Sequence, residues 1–447
     1  MWLPLPHVLM LPFVRVDQLW RSGLAGAIPS AACFVVAALF FFGALRRVFD
    51  SNPAAFAAVA LFAFNPNMLY LQSTPMSEPA FWACWMVLLY FTVRYRESGG
   101  WPALIAAGVA ASLGSLARYD GWFLIPFAAL YILLIAPRQR FAAALVFSLI
   151  AGLGPLYWLF HNWWTAGDAL DFYRGPYSAM AIQAARPYPG HGDWRTAWLY
   201  YRTAVGLCAG PGLLLMGLVG TVVVLARRAF WPLALLVLPA AFYVLNMHSG
   251  ASPIFVPELW PHSYYNTRYG LAAIPLLAMA SAALVLAMPQ RMRSITALLI
   301  VVAGTVYWVA HPRPENWITW AESRANSEGR RAWTREAAAY LAPRFVPGAG
   351  IISASGDDFS GIFREMGIPL RETFNVTNGL PFIATVQRPD LYLWQEWAVV
   401  KGGDDAQTAI NRAGRYGIRY ELKKQIIEKD EPVIEIYRRV GGSHGAP

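Results

Sequence analysis

The chain has 447 residues, a formal net charge of +10 and 57% hydrophobic residues, with only 14% charged. A soluble globular domain carries about 25% charged residues, so composition alone keeps most of this chain out of water. The basic residues sit in pairs between apolar runs and not in one patch, which argues against a nucleic-acid surface and for membrane topology.

The opening, Trp2-Leu3-Pro4-Leu5-Pro6-His7, places two prolines where a helix would start. Residues 1–26 are expected to form an interfacial segment, broken by proline over 2–20 and lying at the outer face. Apolar runs long enough to approach the roughly 20 residues of a membrane span follow: 27–45, 54–70, 79–95, 103–117, 120–136, 141–160, 204–226, 231–247, 269–287 and 294–310. Alternate loops carry Arg46-Arg47, Arg94 and Arg96, Arg138 and Arg140, Arg227-Arg228, and Arg291 and Arg293. The positive-inside rule assigns these loops to the cytoplasm and the Trp- and Tyr-rich loops to the outside. Cys33, Cys84 and Cys208 lie inside apolar runs and read as small buried hydrophobes.

Charge rises from His311 onwards. A helix is expected at 330–342, strands at 350–354, 397–400, 419–427 and 432–438, and a further helix at 404–416. The expected fold is mainly α: a polytopic membrane bundle of about ten transmembrane helices over 1–310, followed by a small extracytoplasmic α/β domain over 311–447.

Polar residues in the outer loops are the candidates for chemistry, because ionisable groups at membrane depth are costly and often functional. Residues 65–79 run from Asn65-Pro66 to Ser77-Glu78-Pro79. Ser77 reads as an N-cap, and Glu78 as either a helix-start acid or the lining of a polar cavity. Arg118, Tyr119 and Asp120 form a tight outer turn with Gly121. The two charges either pair with each other or present a guanidinium to a phosphate. The loop 161–203 offers His161, Asp168, Asp171, Arg174, Arg186, His191 and Asp193, without a metal-ligand spacing. Glu258 and the Arg268-Tyr269 pair flank an aromatic cluster. Arg268 at a helix start opposes the dipole and calls for a phosphate or Glu258 as partner. His7 beside two prolines is the weakest candidate.

These segments, from Trp2–His7 through Ile28-Pro29-Ser30, Asn65-Pro66, Met76–Pro79 and Arg118–Trp122, resemble the GT-C membrane glycosyltransferases. They are most similar to the family 39 group of protein mannosyltransferases and lipid A aminoarabinose transferases. The resemblance implies an integral protein of a bacterial or archaeal plasma membrane. It would move a sugar from a polyprenyl-phosphate carrier to a lipid, glycan or protein acceptor of the cell envelope. It also implies that Pro4 to His7 border the donor, that Glu78 matches an acid opening a conserved helix, and that arginines hold the donor phosphate. Glu78 is thus the catalytic candidate, with His7, Arg118, Tyr119, Asp120, Glu258, Arg268 and Tyr269 as substrate-binding candidates. No cofactor is implied with certainty, and a divalent metal stays open. The family's key acid lies in a first outer loop after a first transmembrane helix, so one helix and one loop are expected ahead of Met1, and the chain as given is expected to lack that catalytic Asp loop and with it activity. The alternatives are a multispan transporter and a catalytically inactive scaffold of the same fold.

Overall fold

The computed structural model describes residues 3–176, 178–184, 188–226, 233–354 and 356–441. Trp2, Arg186 and the Arg227-Arg228 pair lie outside the described residues. The chain divides into two compact units, Met1–Glu322 and Ser323–Pro447, so the division falls beyond the rise in charge at His311.

The first unit is helical, and every expected apolar run is occupied. The helices are Leu24–Phe49, Asn52–Ala63 with Pro66–Gln72, Glu78–Ser98, Trp101–Ala117, Tyr119–Ile135, Arg140–Ala166, Trp194–Ala226, Leu233–Ser249, Thr267–Ala287 and Arg293–Ala310. Among the described residues, five helices are long and apolar enough to cross a membrane, or six if the bent pair at Asn52–Gln72 counts as one span. Helix Arg140–Ala166 shows why water is not its solvent. Ala143, Phe147, Ala151 and Gly154 are buried, yet Leu145, Leu149, Leu153 and Leu156 on its other faces are 59–62% exposed. A helix that is apolar all round, with one side bare, belongs in lipid.

Three sequence expectations change. The run 54–70 is two helices bent by 64°, not one. Pro66 lacks the N–H that would continue the ladder, and the Asn65 side chain restarts it by accepting from the Asn67 and Met68 amides at 3.0 and 3.3 Å. The opening is not broken by its prolines: Pro4–Val14 is helical, with prolines in the first turn, where no intrahelical N–H is required. A second short helix, Asp17–Ser22, follows. The loop expected over 161–203 is shortened from both sides by helices ending at Ala166 and starting at Trp194, and holds the short helices Asp171–Arg174 and Ala179–Ala184.

Close helix crossings are made by glycine. A Cβ on Gly121 would stand 2.5 Å from the Gly114 carbonyl carbon and oxygen. Gly121 therefore lets helix Tyr119–Ile135 fold tightly against Trp101–Ala117, with only Arg118, in extended conformation, between them. Gly121 sits inside a helix and serves packing, not a turn.

The second unit contains a five-stranded sheet: β1 (Ile351–Ser353), β2 (Thr373–Phe374), β3 (Trp397–Lys401), β4 (Arg419–Ile426) and β5 (Ile434–Val440), in the order β2-β1-β3-β5-β4. β2, β1 and β3 are parallel, and β5 runs antiparallel to both β3 and β4. Alternate residues feed two cores, as the two-residue period of a strand requires. Ile351, Trp397 and Val399 pack with helices Glu328–Leu341 and Gly356–Met366. Ile352, Ala398 and Val400 pack with Leu380–Gln387 and Asp405–Ala413. The helices at 356–366 and 380–387 and the short strand β2 were not expected from the sequence.

Candidate functional site

Arg47, at the end of helix Leu24–Phe49, pairs with Glu97 at 2.6 Å, near the end of helix Glu78–Ser98. Both helices therefore finish at the same end of the bundle. Glu78 starts its 21-residue helix, so it lies about 30 Å from that arginine-rich end at 1.5 Å per residue.

Glu78 is 4% exposed. One of its oxygens, Oε1, receives both Arg118 Nη1 at 2.9 Å and Arg268 Nε at 3.0 Å. Its other oxygen, Oε2, is buried without a hydrogen-bond partner. Ser77 does not cap the helix; its hydroxyl accepts from Arg118 Nη1 at 2.9 Å.

All three nitrogens of Arg118 are engaged within the protein. Nε donates to Asp120 Oδ1 at 3.1 Å, and Nη2 donates to the Tyr243 hydroxyl at 2.8 Å. That hydroxyl in turn donates to Asp120 Oδ2 at 2.6 Å. The Arg118–Asp120 pair expected to close the turn is present, and it extends to Glu78 and Tyr243. Arg268 donates from Nε to Glu78 and from Nη1 to Glu322 Oε1 at 3.1 Å, so its Nη2 edge is left unengaged by these carboxylates. Glu322 is itself held by the backbone N–H groups of Asn266 and Thr267, both at 2.8 Å, and by the Thr267 hydroxyl. The Tyr269 ring sits under both guanidiniums, 5.6 Å from Arg118 Cζ and 5.2 Å from Arg268 Cζ, and stacks on Tyr243 at 4.3 Å.

Two guanidiniums thus face three carboxylates in a largely dehydrated cluster. Buried charges persist only when each has a partner, and here every guanidinium and carboxylate has one. The groups left unengaged within the cluster are Glu78 Oε2, which is buried, and the Nη2 edge of Arg268, whose side chain is 23% exposed against 13% for Arg118.

The structure brings Glu78, Arg118, Asp120, Arg268 and Tyr269 together and leaves the other candidates elsewhere. Tyr119 stacks on Phe172 at 5.3 Å and accepts from Trp158 Nε1. Glu258 is exposed, and the partners of Arg268 are Glu78 and Glu322 instead. The His7 ring donates from Nδ1 to the carbonyl of Leu3, the residue that precedes its helix, and lines a groove with Tyr157, Trp158 and His161. Between helices Arg140–Ala166 and Trp194–Ala226, Asp168 pairs with Arg174 at 2.7 Å and Asp193 caps helix Trp194–Ala226. Among the described residues, no group of three or more His, Cys, Asp or Glu is arranged to hold a metal ion.

Two members of the cluster escaped the sequence reading. Tyr243 is one aromatic residue within an apolar run, and Glu322 lies beyond the rise in charge. Asn65 and Asn67 are structural. Both donate to the Cys208 carbonyl, at 2.8 and 3.2 Å, beside the break in helix Trp194–Ala226 at Gly210, where φ is 74°. Thr319 binds Asn67 in turn, which ties the segment bearing Glu322 to the bundle.

Comparison with known proteins bears on the fold. Residues 19–164 match the family model of dolichyl-phosphate-mannose-protein mannosyltransferase. No curated protein matches the chain by sequence. Among solved structures, ArnT from Cupriavidus metallidurans, bound to undecaprenyl phosphate, is similar at a TM-score of 0.53 and 13% identity, over 91% of this chain and 84% of that one. The Archaeoglobus fulgidus oligosaccharyltransferase reaches a TM-score of 0.43 at 15% identity, over 84% of this chain and 56% of that one, and carries no weight here. Residues 19–164 are thus similar in sequence to dolichyl-phosphate-mannose-protein mannosyltransferases, and the chain as a whole has a fold similar to that of ArnT.

Proposed function

We propose that the transmembrane unit transfers a sugar from a polyprenyl-phosphate donor to an acceptor hydroxyl. The carrying observation is Arg268, braced on one side by Glu78 and on the other by Glu322, with its Nη2 edge unengaged by either. A guanidinium fixed in this way meets a phosphate without reorganising, which favours charge building on the leaving phosphate. In the transfer, the bond from the anomeric carbon to the phosphate oxygen breaks, the acceptor oxygen takes its place, and the acceptor proton passes to a carboxylate. Glu78 Oε2 is the buried carboxylate oxygen without a partner in the cluster. It accepts a substrate hydroxyl, while Oε1 keeps both arginines in place. Arg118 positions the cluster and does not itself touch the phosphate. The likeness to a structure bound to undecaprenyl phosphate supports a donor of that class.

The test uses the full chain in proteoliposomes with a panel of polyprenyl-phosphate sugars. Release of polyprenyl phosphate from at least one donor, lost in Arg268→Ala, is expected. Well-folded protein that releases none from any donor contradicts the reading.

A further inference from the structure

At the arginine-loop end of the bundle, far from Glu78, a second site stands on its own evidence. Helix Leu24–Phe49 ends in Arg46-Arg47. Arg47 is occupied by Glu97 and lies over the Tyr90 ring. Arg46 is exposed, and among the described residues no carboxylate forms an ion pair with it. It lines a cavity of about 420 Å³ together with Asp50, Ser51, Asn52, Gln290 and Arg293. Among the described residues Arg293, half-buried, has no carboxylate partner either; its Nε reaches the Met288 carbonyl at 3.5 Å. The cavity also takes in the start of helix Asn52–Ala63, whose positive end adds to the two arginines.

This polar cavity opens directly into an apolar groove. Arg46, Asn52 and Pro53 line both, and the groove continues along Phe42, Phe56, Ala297 and Leu298. Phe56 is 57% and Leu298 61% exposed, on faces that meet lipid. Two arginines outnumber the single carboxylate Asp50, so the polar end is basic, and the greasy groove runs from it along the helices. A free anion would use the first part only. A zwitterionic lipid would bring a cation against the arginines.

We propose that Arg46 and Arg293 hold the phosphodiester headgroup of an anionic phospholipid from the leaflet at the arginine-loop end, with an acyl chain in the groove along Phe56 and Leu298. Basic pockets between transmembrane helices recognise anionic headgroups by this combination of charge and apolar contact. The site does not depend on the donor chemistry at the opposite end, and it ties helices Leu24–Phe49, Asn52–Ala63 and Arg293–Ala310 together.

The experiment measures lipid binding to the delipidated full-length protein in detergent by native mass spectrometry. The probes are phosphatidylglycerol, phosphatidylcholine and inorganic phosphate. Phosphatidylglycerol is expected to bind at least about tenfold more tightly than phosphatidylcholine, the equivalent of about 1.4 kcal/mol. R46Q combined with R293Q should abolish that preference, while thermal unfolding in detergent confirms an intact fold. L298W, which fills the groove without touching the arginines, should weaken phosphatidylglycerol binding as well. Equal binding of the two lipids, retention by the arginine double variant, or full competition by inorganic phosphate alone would overturn the proposal.

Discussion

Arg118 and Arg268 meet on one oxygen of Glu78, at 2.9 and 3.0 Å, although the two arginines are 150 positions apart in the chain. A single carboxylate oxygen thereby holds two like charges side by side in a low-dielectric setting. Removing it leaves two guanidiniums facing each other with one partner fewer. Glu78→Gln should cost about 3–5 kcal/mol of stability, the scale of a broken buried pair. The readout is thermal unfolding of the purified protein in detergent, together with sugar transfer, which should fall sharply. A Gln variant as stable and as active as the parent would reduce Glu78 to a helix-start acid.

Tyr243 closes the cluster by accepting from Arg118 and donating to Asp120. Tyr243→Phe keeps the stacking on Tyr269 but leaves two charged groups short of a hydrogen bond, a loss of about 1.5–3 kcal/mol. Thermal unfolding should report that loss. Tyr119→Phe, which removes a hydroxyl outside the cluster, should cost less in the same assay.

Gly121→Ala places a methyl group 2.5 Å from the Gly114 carbonyl. Backbone cannot step aside as a flexible side chain can, so the hairpin of helices Trp101–Ala117 and Tyr119–Ile135 must open. A destabilisation of about 1–3 kcal/mol is expected from overpacking. Because Arg118 sits at that hairpin, transfer activity should fall with it.

In the segment between helices Arg140–Ala166 and Trp194–Ala226, the Arg174 side chain and the Leu170 amide hold the Asp168 carboxyl down to about 2. An ordinary aspartate titrates near about 3.9. The folded value is depressed, so the contribution of this pair is present above about pH 4 and is lost as the pH falls towards 2. Both side chains reach solvent, so the effect is local. Amide exchange at Leu170 and Gly175 should stay slow to about pH 3 in the parent protein and be fast at neutral pH in Asp168→Asn. Identical exchange in the two would show that the pair does not order the loop.

Much of the architecture was legible because lipid imposes a simple demand: long apolar runs, with arginines clustered in alternate loops. Composition cannot show where such a run bends, and 54–70 was read as one span because Asn65-Pro66 counts as two residues among many. The cluster was half legible. Glu78, Arg118, Asp120 and Arg268 stood out as charges in apolar surroundings. Their mutual distances are set by helix packing, which sequence spacing does not encode, so the sequence offers Arg268 a phosphate or the nearby Glu258 and not the distant Glu78. Tyr243 and Glu322 gave no local signal, since each becomes polar machinery only through partners on other helices. Exposed Glu258 and helix-capping Asp193 are the converse, charges conspicuous in sequence that solvent or a helix end satisfies.

The central claim is that Arg268 presents an open edge to a donor phosphate while Arg118 is consumed by the protein. Equilibrium binding of undecaprenyl phosphate to the detergent-solubilised full chain tests it most directly, with parent and Arg268→Ala compared after both are shown to be folded. Losing a charge-assisted contact should weaken binding by roughly ten- to hundredfold, or about 1.5–3 kcal/mol. Arg268→Lys should restore only part of it, because an ammonium keeps the charge but not the planar fork. Unchanged binding in folded Arg268→Ala would contradict the account.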